Sequence, residues 1–114
     1  MSSGCIATVE TLDGSQHRIS SDAFRAYAEA VFREQNRVAS ALVFRMEDEQ
    51  LDPAAHERLA DVEARLLDAC RALNEVAVRR RDDEGRRLFA DARAAKTVPD
   101  CERAVVSARE MLAD

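Results

Sequence analysis

Apolar side chains recur at intervals of three and four residues in three separate stretches of this chain. The first holds Phe24, Tyr27, Ala28, Val31, Phe32, Val38, Ala39, Leu42 and Met46. Such spacing keeps apolar groups on one side of a 3.6-residue turn and predicts an amphipathic helix. It opens at Ser20-Ser21-Asp22, where a serine hydroxyl can accept from the free amides of the first turn and Asp22 complements the helix dipole. It runs to about Gln50. Leu51-Asp52-Pro53 then punctuates the chain. Asp52 suits an N-cap, and Pro53 suits the first helical position, where its missing N–H costs nothing. Leu59, Val62, Leu66, Ala69, Cys70, Leu73, Val76 and Ala77 carry the second face. So short a connection folds the two helices into an antiparallel hairpin.

Past Ala77 the pattern changes. Residues 79–87 are Arg79-Arg80-Arg81-Asp82-Asp83-Glu84-Gly85-Arg86-Arg87, without one large apolar side chain, before Leu88, Phe89, Ala92 and Ala95 resume. Gly85 inside a helix costs about 1 kcal/mol relative to alanine. Acid-before-base pairs four apart, Glu75/Arg79, Asp82/Arg86 and Asp83/Arg87, each return about 0.2–0.5 kcal/mol. With no proline between, the balance favours one helix over about 53–95, bent at Gly85 at most. Thr97 and Asp100 resemble a capping box. A third face follows, Cys101, Ala104, Val105, Ala108, Met111 and Leu112, to about residue 112.

The first 19 residues read differently. Cys5–Leu12 is β-prone, Asp13-Gly14 is a hairpin-turn signal, and Ser15–Ile19 follows. Neither face alternates cleanly, so residues 1–19 are expected to form a small hairpin or a loosely ordered arm, and residues 20–114 the helical domain. The fold class expected is all-α: a helical hairpin plus a third C-terminal helix. With the long second helix as a spine, the first helix would lie along 53–81 and the third along 82–95. A layer two helices thick cannot enclose a core, so the chain is expected to assemble as a homodimeric helical bundle. In the competing topology the spine breaks at Gly85 and three helices wrap one core as a monomer.

Composition supports helix over sheet. Twenty-one alanines stand against 25 Leu, Ile, Val and Phe together, with 3 Gly and 2 Pro in 114 residues. Such a chain lacks the turns and β-branched residues of a sandwich or barrel. Of its 17 basic residues only Lys96 is lysine, a usage that fits the codon bias of a high-GC bacterial genome. The net charge of −5 is spread evenly and leaves no basic domain for nucleic acid. The longest apolar run, Ala41-Leu42-Val43-Phe44, is far too short for a membrane span. Cys5, Cys70 and Cys101 are isolated in sequence, without a CxxC or a Cys/His cluster. They are read as reduced thiols of a cytoplasmic protein, with Cys70 and Cys101 packed in the core.

Candidate chemistry is thin. Arg79, Arg80, Arg81, Arg86 and Arg87 form a weak anion-binding candidate, largely neutralised by the three acids between them. His56 and His17 lack the Glu-x-x-His spacing of a di-iron bundle. The aromatics of the first helix spread over a wide arc, which suggests more than one packing partner. Phe32, Phe44, Met46, Leu88 and Phe89 are the candidate interface. The function expected is a non-enzymatic protein–protein interaction module of the adaptor, immunity, antitoxin or chaperone type. No cofactor is expected. Its partner would be a second copy or an unidentified protein. The alternative is a bundle holding a small ligand or metal between subunits. Replacing Gly85 by Ala tests the local reading: a helical Gly85 gives a variant that melts higher, by about 1 kcal/mol of stability, whereas a turn with positive φ gives one that melts lower.

Overall fold

The computed structural model of the protein describes residues 8–79 and 92–113. Gly85, Arg80, Arg81, Arg86, Arg87, Leu88 and Phe89 lie outside the described residues, and Arg79 is described by its backbone alone. The described part is mostly helical, with a small two-stranded sheet. Its elements are β1 (Thr8–Glu10), β2 (Gln16–Arg18), α1 (Asp22–Met46), α2 (Pro53–Ala69), α3 (Arg71–Arg79), α4 (Ala92–Lys96) and α5 (Val98–Ala113).

β1 and β2 pair antiparallel, with Val9 opposite His17. The loop between them closes through Thr11 N–H to Ser15 O (2.8 Å) and Gly14 N–H to Thr11 O (3.0 Å). Gly14 sits at φ 89°, a left-handed conformation that glycine adopts without a Cβ penalty. The Asp13 carboxylate accepts from the Thr11 hydroxyl and from Ser15 N–H. Those bonds, that from Thr11 foremost, hold its pKa down to about 2. The loop contacts are therefore fully present above the ordinary carboxylate range and are lost as pH falls through 2. Val9 is buried in the same apolar cluster as the helices, and Ile19 packs against it. The hairpin is thus seated on the helical body.

α1 begins as its sequence predicts. Ser21 is the N-cap: its hydroxyl accepts from Phe24 N–H (3.0 Å) and donates to Arg18 O (2.7 Å). The helix ends at Met46, before the expected Gln50. Asp52 caps α2 and Pro53 opens it. Two expectations about the next stretch are corrected. The spine is interrupted at Cys70, where φ −99° and ψ 8° offset α3 from α2. The ladder is nearly kept: Cys70 N–H reaches Leu66 O at 3.0 Å, and Asn74 N–H reaches Cys70 O at 2.9 Å. Thr97 stands at the expected start of α5, with Cys101 N–H on its carbonyl (3.0 Å) and Val98 opening the helix, but its hydroxyl donates backward to Ala94 O (2.6 Å) instead of closing a capping box.

The larger correction concerns α5. It lies against both α1 and α2, whereas the sequence pattern places the third helix along 82–95, a range described only from residue 92. Tyr27 of α1 meets Glu102, Glu34 meets Arg109, and Arg45 meets the Leu112 carbonyl. α1 and α5 therefore run in the same direction. Phe24, Ala28, Val31, Val38 and Leu42 from α1, Leu59 and Leu66 from α2, and Val98, Val105 and Ala108 from α5 close one buried cluster. A third helix encloses a core that two cannot, so the two-layer reason for a dimer falls away.

Cys70 and Cys101 are buried, as expected, but they are not free thiols: they form a disulfide. The packing of α5 on the α2–α3 junction brings their Cα atoms to 4.6 Å across a separation of 31 residues. Isolation in sequence did not keep the two cysteines apart in space, so their spacing is no sign of a reducing compartment.

One polar pair links α3 to α1 at the margin of the core. Gln35 is 1% exposed, and its side-chain amide exchanges two hydrogen bonds with that of Asn74, at 2.8 and 3.0 Å. Asn74→Ala should cost about 1–3 kcal/mol in chemical denaturation, because it strands a buried amide. Adding Gln35→Leu to that variant should recover a large part of the loss. A single-mutant cost near zero would show that the pair does not fix α3 on α1.

Candidate functional site

The functional candidate that the described residues support is a surface, and helix geometry locates it. At about 100° per residue, Glu34 and Arg45 point from α1 toward α5, while Gln35 points toward α3. Val43 lies about 80° beyond Gln35, on the flank away from α5, and Phe44 lies further round. On the other helix pair, Leu66, Cys70 and Leu73 turn toward α5. Leu67 and Val78 fall on the opposite side of Asn74. α1 and α2–α3 therefore form a layer with α5 on one side. Leu67 and Val78 line one exposed depression and Val43 and Phe44 a second, with Phe44 turned about 180° from Gln35.

Their exposure agrees with that placement. Phe44 is 79% exposed, Val78 52%, Leu67 47% and Val43 40%. Two shallow depressions mark the surface. One is lined by Leu67, Arg71, Asn74, Glu75 and Val78. The other is lined by Ala39, Ser40, Val43, Phe44 and Glu47. Both are mostly apolar; the first carries charges of both signs, Arg71 and Glu75 on α3, and the second one acid, Glu47 past the end of α1.

Of the three interface candidates among the described residues, Phe44 alone is on this surface. Phe32 and Met46 are partly buried and pack against the core. Leu88 and Phe89 fall outside the described residues, as do four of the five arginines of the anion-binding candidate. Val43, Leu67 and Val78 were missed. The signal for two of them lay in apolar doublets. In Leu42-Val43 and Leu66-Leu67 the first residue is buried, and the second, one step round the helix, is exposed.

Chemistry elsewhere is structural. Tyr27 donates its hydroxyl to Glu102 (2.8 Å), with the His17 ring stacked at 6.1 Å between centroids. Burial, and then the Glu102 carboxylate, push the Tyr27 hydroxyl above its ordinary pKa, so it stays protonated and donating. His56 is exposed in the first turn of α2, its amide bonded to Asp52 O. Among the described residues no group of three or more His, Cys, Asp and Glu is placed to hold a metal ion. No described helix is long and apolar enough to cross a membrane. Comparison with protein-family models, with curated proteins and with solved structures returns no match.

The surface and the core should separate cleanly in mutation. Phe44→Ser should leave the unfolding free energy within about 0.5 kcal/mol. Phe24→Ala, at a fully buried position, should cost about 3–5 kcal/mol. A comparable loss from both, measured by urea denaturation, would show that Phe44 belongs to the core.

Proposed function

We propose that the protein works by contact, as a non-enzymatic helical interaction module, and that its first partner is a second copy of itself. The observation that carries this is the apolar face of the α1–α2–α3 layer turned away from α5. A soluble monomer exposes single apolar residues freely, but a cluster rimmed by charge marks a contact surface. The face is built from helices that run both ways along the layer. Rotating a copy by 180° brings the same face onto it and stacks two layers into a bundle. Arg71, Glu75 and Glu47 at the rim can pair across such an axis. The dimer no longer has to complete the fold, as the sequence alone suggested. Its role here is to cover Val43, Leu67 and Val78, with Phe44 at the margin.

An unidentified protein could use the same face, which is the adaptor, immunity, antitoxin or chaperone reading. The cytoplasm stays in the proposal together with a redox-active Cys70–Cys101 bond, because disulfides there are transient or redox-sensing. Sedimentation of the oxidised protein over a concentration series tests the leading reading. Wild type should reach the mass of a dimer. Phe44→Asp combined with Val78→Asp should sediment as a monomer while keeping its helical circular dichroism and cooperative melting. A wild type that stays monomeric at the highest concentration would overturn self-association. A double variant that still dimerises would overturn this face as its site.

A further inference from the structure

The Cys70–Cys101 bond lies inside the core. Cys70 caps the end of α2, Cys101 stands in the first turn of α5, and neither residue has any exposed area. Leu66 and Leu73, a turn either side of Cys70, and Val98 and Val105, a turn either side of Cys101, are buried in the same cluster. α2 and α5 also pack against each other directly, so the larger effect of the bond is on the unfolded chain.

The bond closes a separation of 31 residues. Loop closure removes conformational freedom from the unfolded chain and none from the folded one, to an extent set by the number of residues closed. A chain of this size is marginally stable to begin with. Its core is also thin: Ala28, Ala95 and Ala108 are among the buried residues. Losing the tie therefore removes a large share of what keeps the chain folded. Reduction, however, needs access. A thiolate must reach one of the two sulfurs, and neither is open to solvent while α5 is seated. The attack waits for the core to open.

We propose that Cys70–Cys101 couples the redox state of the chain to the stability of the whole helical body. The folded protein shields the bond, opening of the core exposes it, and reduction leaves a chain that folds less favourably. With dithiothreitol, the sulfur–sulfur bond breaks and an S–H bond forms on each cysteine. The hydrogens and electrons come from the two thiols of the reductant, which closes into a cyclic disulfide. This coupling holds whether or not the outward face binds a second copy.

The test compares the full chain, air-oxidised and reduced with dithiothreitol, at one protein concentration. Thiol counting of the oxidised form in denaturant should find one free thiol, that of Cys5; three would overturn the coupling. Without urea, dithiothreitol should break the bond at least about tenfold more slowly than in urea above the unfolding midpoint, because attack follows the open population. Equal rates would overturn the shielding, and the proposal with it. In urea titrations the unfolding equilibrium constant of the reduced form should be larger by about tenfold or more. The slowest amides of 31–42, 59–66 and 105–108 should exchange faster by the same factor, and a reduced chain that no longer folds is the extreme of the same result. An unchanged midpoint, or faster exchange confined to 71–79 and 92–97, would overturn the proposal. A C70A/C101A chain should not respond to dithiothreitol; a midpoint that still shifts would overturn the assignment to this bond.

Discussion

The seating of α5 in the groove between α1 and α2 is the contact on which the rest of the structure depends. Two helices joined by a tight turn can touch along one line but leave both sides of that line wet. α5 dries one side. Ala28 on α1 and Ala108 on α5 are both essentially unexposed. Val98, Val105 and Leu66 belong to the same buried cluster. Many alanines make a thin core, so each larger residue inside it matters more. Val9 from the hairpin and Phe24 at the head of α1 close the end of the groove where the chain enters.

Direction in this body is fixed by polar contacts as much as by apolar ones. Tyr27–Glu102, Glu34–Arg109 and Arg45–Leu112 O are spaced along α1 and α5 in the same order. Arg45 places a positive charge on the last carbonyls of α5, where the helix dipole favours it. The exposed Glu34–Arg109 pair adds little energy by itself. The Gln35–Asn74 pair acts differently. Gln35 is buried and its amide is satisfied by Asn74, so sliding of α3 along α1 is penalised, because a one-residue shift would leave the Gln35 amide unpaired.

Several of these features were legible along the chain. Ser21, Asp52 and Pro53 mark helix starts because capping chemistry is local, and the stripes on α1 and α2 follow from helix period alone. Asp13-Gly14 announced the hairpin for the same reason. What could not be read is what depends on distance in space. The seating of α5, the pairing of Cys70 with Cys101 and the partnering of Gln35 with Asn74 join residues 31 to 75 positions apart. The expectation of an unbroken spine failed at Cys70, where no glycine or proline warns of a break. Tertiary packing overrides a local helix pattern there, through the bond to α5. On the candidate surface, Phe44 was found because an aromatic arc too wide for one partner is visible in sequence. Val43 and Leu67 were masked by buried neighbours one position earlier.

Since α5 already closes the core, the outward side chains of the α1–α2–α3 layer carry none of that burden. Val43, Phe44, Leu67 and Val78 expose apolar area that the monomer gains nothing by holding. A net charge of −5 makes copies of the chain repel at a distance, and Arg71 beside this surface is already paired with Asp68 at 2.9 Å. The same division runs through α3, which turns Val78 and Arg71 outward while Leu73 and Val76 are buried.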